Sequence, residues 1–184
     1  MRINVITSNE GKYGEIRETL EAAGHVASWT KIPYPEIQSS SLDEVVGESL
    51  NWVVRRLIPL EPVLIEDSGL FIDALGGFPG VYSAYVFKTI GNQGILKLMA
   101  GVENRAARFE SRVGFWAPGM GPHIFNGSCQ GSIAHEAVGG SGFGYDPIFI
   151  PEGEKRTFAQ MNREEKGALS HRGRALAGLL KFLG

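Results

Sequence analysis

Val63-Leu64-Ile65 is a short, fully apolar run followed at once by two acids, Glu66-Asp67. Consecutive side chains of a strand point to opposite faces, so such a run has to be covered on both, as in the central strand of a layered α/β fold. The two acids are expected where this strand meets its loop. A carboxylate in that place is costly to desolvate, so Asp67 requires a cation or hydrogen-bond donors beside it.

The rest of the chain supplies the other layers. Ile3 to Thr7 predicts a strand, and Tyr13, Ile16, Leu20 and Ala23 recur at helical spacing until Gly24. A second strand is predicted over Val26 to Ile32, broken by Pro33 and Pro35. Ser41-Leu42-Asp43-Glu44 has the capping-box order ahead of Val45, Val46, Leu50, Val53 and Leu57, which predicts a helix of about four turns. Helical spacing resumes from Tyr82 to Met99. Arg105 to Phe115 and His123 to His135 flank Pro118-Gly119-Met120-Gly121-Pro122, the pattern of an antiparallel hairpin. Ser170 is an N-cap for a last helix through Leu176, Leu179, Leu180 and Leu183. Two glycine-rich stretches, Gly69 to Gly80 and Gly139 to Pro147, predict special loops rather than plain connectors. With no repeat or linker, one α/β domain over residues 1–184 with a hairpin-bearing lobe is the expectation.

Composition narrows the partners. With 18 Lys+Arg against 20 Asp+Glu the formal charge is -2, which argues against a nucleic-acid binder relying on a basic surface. No apolar run reaches the roughly 18 residues of a membrane span, and Met1-Arg2-Ile3-Asn4 opens no signal peptide, so a cytoplasmic protein is expected. Cys129, the single cysteine, forms no internal disulfide and no multi-cysteine zinc site. Charge is uneven: residues 36–73 carry eight acids against two arginines, and residues 152–184 carry seven bases against four acids. That polarity suits a cation at one wall and an anion at the other, or simply solvated helix faces.

Candidate chemistry lies in four places. Thr7-Ser8-Asn9-Glu10-Gly11-Lys12 is a polar strand-to-helix turn, where free N–H groups and the helix dipole favour a phosphate and Lys12 adds a point charge. Plain N-capping by Ser8 or Asn9 is the alternative, and no Walker A pattern is present. Asp67 suits a hard divalent metal, with Glu36 either a second ligand or a surface acid. Phe143 and Tyr145, interleaved with glycines ahead of Asp146-Pro147, either offer a stacking face for a base or plug the core. His171 and Arg172 open the last helix, where positive side chains oppose the dipole unless an anion or acceptor sits there.

Taken together, TSNEGK, PEIQ, EDSGL with ALGGFPGVYSA, GFGYDPIF and EEKGALSHRGRAL resemble, in order and over residues 3–177, the inosine triphosphate pyrophosphatase family, the XTP/dITP diphosphatases. The resemblance implies a mixed central sheet flanked by helices, two lobes with a substrate cleft between them, and a homodimer. It implies Mg²⁺-dependent hydrolysis of ITP, dITP and XTP to the monophosphate and pyrophosphate, with a small-molecule nucleotide as partner and neither nucleic acid nor membrane. By this resemblance Thr7, Ser8, Asn9, Glu10, Gly11 and Lys12 form the phosphate turn, Lys12 acts in catalysis, and Glu36 and Asp67 are the metal-associated acids. Asp67 is also the general base, and Ser68 contacts the nucleotide. Phe143, Gly144, Tyr145 and Asp146 form the base-side loop, Lys166 binds substrate, and His171 and Arg172 meet the purine edge. Tyr145 stands where some members have Trp, and Gly167 where Asn is common. A house-cleaning pyrophosphatase for modified pyrimidine or methylated nucleotides is the alternative enzyme. A non-hydrolysing nucleotide module is the other alternative, against which Glu36 and Asp67 together weigh.

Overall fold

The computed structural model describes residues 1–184. In chain order the elements are β1 (Arg2–Ile6), α1 (Glu10–Ala22), β2 (Val26–Thr30), α2 (Leu42–Leu57), β3 (Val63–Ile72), β4 (Pro79–Gly80), α3 (Ser83–Leu98), β5 (Ala106–Ala117), β6 (Gly121–Ile133), β7 (Phe149–Pro151), α4 (Arg163–Leu169) and α5 (His171–Leu183), with three short 3₁₀ turns between them. The strands form one sheet in the order β2-β1-β3-β5-β6-β7, with β4 paired to β3. β2, β1 and β3 are parallel, joined by the crossovers through α1 and α2, while β3, β5, β6 and β7 run antiparallel.

The apolar run in β3 is covered on both faces. Leu64 packs with Ile3, Val5, Phe115, Ile16 and Leu176 under α1 and α5, whereas Val63 and Ile65 pack with Val46, Leu50 and Val53 of α2. Each such side chain contributes about 1.5–3 kcal/mol by leaving water. A third cluster lies farther along the sheet, where Leu70, Ile72, Phe109, Phe149 and Phe158 meet Val86 and Ile95 of α3. No helix is long and apolar enough to cross a membrane.

The hairpin and the capped helices stand close to where the residue pattern puts them, but β3 does not end at its acids. The strand runs on to Ile72, so Glu66 and Asp67 lie in mid-strand, opposite Val113 and Arg112 of β5. The reason is that Glu66 finds partners inside the fold, Ser111 among them, and needs no loop to reach water. Gly69 likewise belongs to the strand rather than to a loop: a Cβ there would lie 2.3 Å from the Gly80 carbonyl of β4. Ser41 caps α2 through the Glu44 N–H at 3.4 Å, but the Glu44 carboxylate accepts from Ser39 instead of closing the box. α3 is broken at Gly91, which has a φ of 61°. Gly127 of β6 lets α5 rest on the sheet backbone, since a Cβ there would lie 2.0 Å from the His171 carbonyl oxygen and 2.4 Å from the Ala175 nitrogen. Cys129 is a free, buried thiol, pushed up to about 11 by burial.

Candidate active site

The strand-to-helix turn after β1 is built by Asn9, not Ser8, as the cap. Its side chain accepts the Lys12 N–H at 3.0 Å, and Thr7 Oγ1 accepts the Asn9 N–H at 3.1 Å. Ser8 and Glu10 are exposed beside it. Lys12, in the first turn of α1, reaches across to β3: its Nζ lies 3.1 Å from Glu66 Oε2 and 3.2 Å from Asp67 Oδ1. Burial works against the ammonium charge, but Glu66 and Asp67 outweigh it and raise the Lys12 pKa above the ordinary lysine value. Asp67 Oδ1 also accepts the Ser68 N–H at 2.8 Å, so both contacts fall on one of its two oxygens.

Glu66 is fully buried and links this end of the site to the other. It accepts the Ser111 hydroxyl at 2.6 Å and faces Arg172 Nε at 3.2 Å. Burial would raise its carboxyl, yet Arg172 and Lys12 hold it well below the usual carboxylate range. Arg172 also donates to Ser68 Oγ at 3.0 Å and to Glu15. Lys166 donates to Glu15 Oε1 at 2.7 Å and to Asp146 Oδ2 at 2.6 Å, and Asp146 Oδ2 accepts the Phe143 N–H at 2.8 Å. Burial likewise opposes the Glu15 charge, but Arg172 and Lys166 lower its pKa. The Phe143 ring lies against Gly11, with the Lys166 ammonium 4.7 Å and the Arg172 guanidinium 5.6 Å from its centroid.

Lys12, Asp67, Ser68, Phe143, Asp146, Lys166 and Arg172 are therefore brought together. Glu36 joins them from the segment after β2: with Asp67, Val45, Tyr82 and Tyr85 it lines a cavity of about 380 Å³. Burial, and then the Asp67 charge, raise the Glu36 pKa. Tyr145 stands elsewhere. Its ring is buried in the cluster around Phe109 and Phe149 and its hydroxyl donates to the Ser83 carbonyl, so it offers no open stacking face. At the start of α5 the positive side chains do not wait for an outside anion. Burial lowers the His171 pKa well below the ordinary value and so works against a charged ring, which stacks on Phe109 at 4.5 Å, and the anions that meet Arg172 are the protein's own Glu15 and Glu66. Glu15 and Ser111 are partners that the residue pattern did not reveal. Glu15 could have been found, since it lies one turn beyond Lys12 on the same helix.

The donor set fits a hard divalent cation shared with an anionic ligand. One lysine, Lys12, faces Glu66 and Asp67, with Glu36 on the same cavity as Asp67, so this end carries more carboxylate than ammonium before any phosphate arrives. Glu36 and Asp67 offer oxygen ligands, but no group of three or more His, Cys, Asp or Glu side chains forms a complete metal cage. A cation of the Mg²⁺ kind takes one or two carboxylates and completes its shell with water and phosphate oxygens.

Known proteins match the chain over nearly its whole length. The Ham1 family model matches residues 3–182. A dITP/XTP pyrophosphatase of Thermococcus kodakarensis is 51% identical over 183 residues, covering 100% of this chain and 97% of its own. One from Methanopyrus kandleri is 52% identical over 176 residues, covering 96% and 93%. Among solved structures, the Ham1 protein of Staphylococcus aureus superposes with a TM-score of 0.83 at 28% identity, covering 100% of this chain and 98% of that one. The nucleoside-triphosphatase, or dITP/XTP pyrophosphatase, of Mycobacterium abscessus gives 0.72 at 34% identity, covering 98% and 99%.

Proposed function

The chain belongs to the Ham1 family, and from that premise and the site geometry we propose that it hydrolyses the non-standard purine nucleotides ITP, dITP and XTP to the monophosphate and pyrophosphate, with Mg²⁺ as cofactor. Family membership makes the chain a nucleoside triphosphate pyrophosphohydrolase. The observation that carries the finer reading is the meeting of Lys12 and Asp67 at the N-terminus of α1, with the two Asp67 contacts confined to Oδ1.

In this reading the N–H groups of the turn after β1 and the Lys12 ammonium bind the triphosphate. Asp67 orients a water toward the α-phosphorus and takes its proton on Oδ2, and pyrophosphate leaves in line. Lys12 fixes the direction of the Asp67 carboxylate through its contact with Oδ1. Positioning and charge complementarity supply the rate, since phosphoryl transfer asks little covalent chemistry of the protein. Glu36 and Asp67 would hold the Mg²⁺, which when bound neutralises phosphate charge. At the other end Phe143, Lys166 and Arg172 surround the base. A 6-oxo purine accepts N–H donors there, whereas the 6-amino group of adenine would face them with another donor and leave buried polar groups unpaired. The chain works as one two-lobed domain closing on its substrate, as a cytoplasmic homodimer.

The test is pyrophosphate release from ITP, dITP, XTP, GTP and ATP, with and without EDTA. Release from the first three, loss with EDTA and restoration by Mg²⁺ are expected. Production of the diphosphate and orthophosphate, or turnover indifferent to EDTA, contradicts the reading.

A further inference from the structure

Ser83, the first residue of α3, is buried and ties three segments together. Its hydroxyl donates to the Gly80 carbonyl of β4 at 2.6 Å and accepts the Leu70 N–H of β3 at 2.8 Å, while its own carbonyl accepts the Tyr145 hydroxyl at 3.0 Å. Each tie leads to a different part of the site. Leu70 follows Asp67 by three positions in the same strand. Tyr82 and Tyr85, on either side of Ser83, line the cavity shared by Glu36 and Asp67. Tyr145 stands next to Asp146, which holds both Lys166 and the Phe143 N–H.

The loop is fastened to α3 at two further points. Asn92, just past the break at Gly91, donates to the Gly144 carbonyl at 3.1 Å, and the Phe87 ring packs edge-on against Tyr145 at 5.3 Å. On the other side there is no slack: at Gly69 even a Cβ would collide with the Gly80 carbonyl. The loop is thus joined to the first turn of α3, which is itself fixed to the strand carrying Asp67.

We propose that Ser83 and Tyr145 are positioning residues that couple seating of the purine to the hydrolytic end, so that discrimination between bases appears in kcat and not only in KM. The inference rests on the function proposed above. A base that fits leaves the loop in place, with the Tyr145 hydroxyl on the Ser83 carbonyl. A base that pushes the loop aside draws that hydroxyl away and shifts the Tyr82–Tyr85 wall against Asp67. Tyr145 thus acts from inside the core, through its hydroxyl rather than its ring face.

Steady-state kinetics on dITP and dGTP test this, using the full chain with Mg²⁺ and recording thermal unfolding of each variant. Tyr145→Phe removes one hydroxyl and keeps the ring. Its kcat on dITP is expected to fall about fivefold to tenfold with KM changed less than about twofold, and the dITP-over-dGTP ratio in kcat is expected to shrink. Ser83→Ala keeps the carbonyl but cuts the ties to Leu70 and Gly80, and should cause a similar loss. The double variant should fall no further than the weaker single one, because both act along one path. Unchanged kcat in Tyr145→Phe, a rise in KM alone, or losses that multiply in the double variant overturn the coupling. If Ser83→Ala shows no cooperative unfolding, Tyr145→Phe decides by itself. Wild-type protein that releases no pyrophosphate from dITP overturns the function itself, and does so before any variant is compared.

Discussion

Lys166 and Arg172 sit at one end of the site with 4% and 2% of their surface exposed, each faced by carboxylates at hydrogen-bond distance. Lys12 sits at the other end, with Glu66 and Asp67 against it, and Asp67 opens together with Glu36 onto a cavity. With Glu66 counted beside Lys12, the first arrangement is balanced before a ligand arrives, Lys166 and Arg172 against Glu15 and Asp146. Charges buried this way add little net stability, but they fix the direction of every donor. The second has an excess of negative charge at the proposed triphosphate site, so on the proposed function it depends on charge brought from outside. One end is suited to reading the shape and hydrogen-bond polarity of a base, the other to assembling only when phosphate and cation come together.

The contrast is broken most severely at the open end. Asp67→Asn keeps the shape of the side chain but cannot take a proton; turnover of dITP is expected to fall about 10³-fold while nucleotide binding, read by calorimetry, stays within a few-fold. Substantial residual turnover removes Asp67 as the base. Next comes the residue shared by both ends. Glu66→Gln leaves Lys12 and Arg172 without their common buried partner and should lower stability by about 3–5 kcal/mol, or on the order of 10 °C in Tm. Because the folded-state pKa of Glu66 is depressed, the stability it contributes is present above its ordinary value of 4.5 and lost as pH falls through the folded value. The gap between wild type and variant should therefore narrow on acidification, and a gap that widens in denaturant melts at low pH would contradict the pairing. The smallest effect belongs to the balanced end, where Phe143→Leu removes an aromatic face and leaves the ion pairs alone. KM for dITP should rise about tenfold with kcat little changed. A fall in kcat alone would mean that the ring does not carry base binding.

Much of the fold was legible because local periodicity and capping agree with tertiary burial. Ile3 to Thr7, the α2 stripe from Leu42 to Leu57, the hairpin and the Ser170 cap are all of this kind. β3 was legible only as far as Ile65. Glu66, Asp67, Ser68 and Gly69 look like the end of a strand because what makes them part of one lies far along the chain: Ser111 is 45 residues from Glu66, and Arg172 is 104 from Ser68. α4, seven residues long, has too few turns to show a period, and its Asn162–Glu165 capping box is the only local mark. At the site, residue types pointed to segments that the structure brings together but not to the state of each group. His171 counts as a cation by name, yet burial lowers its pKa; Tyr145 sits among glycines like an exposed loop residue, and its ring is in the core.

Gly127 carries a consequence for redesign. With the His171 carbonyl and the Ala175 amide lying where a methyl group would stand, nothing compressible separates α5 from β6. The helix that delivers Arg172 is clamped like a rail on its bed, so substrate range cannot be retuned by sliding it. New specificities have to be sought in the mobile-sized parts, the side chains of the glycine-rich loop, while an alanine at this one position would lever the whole helix off its seat.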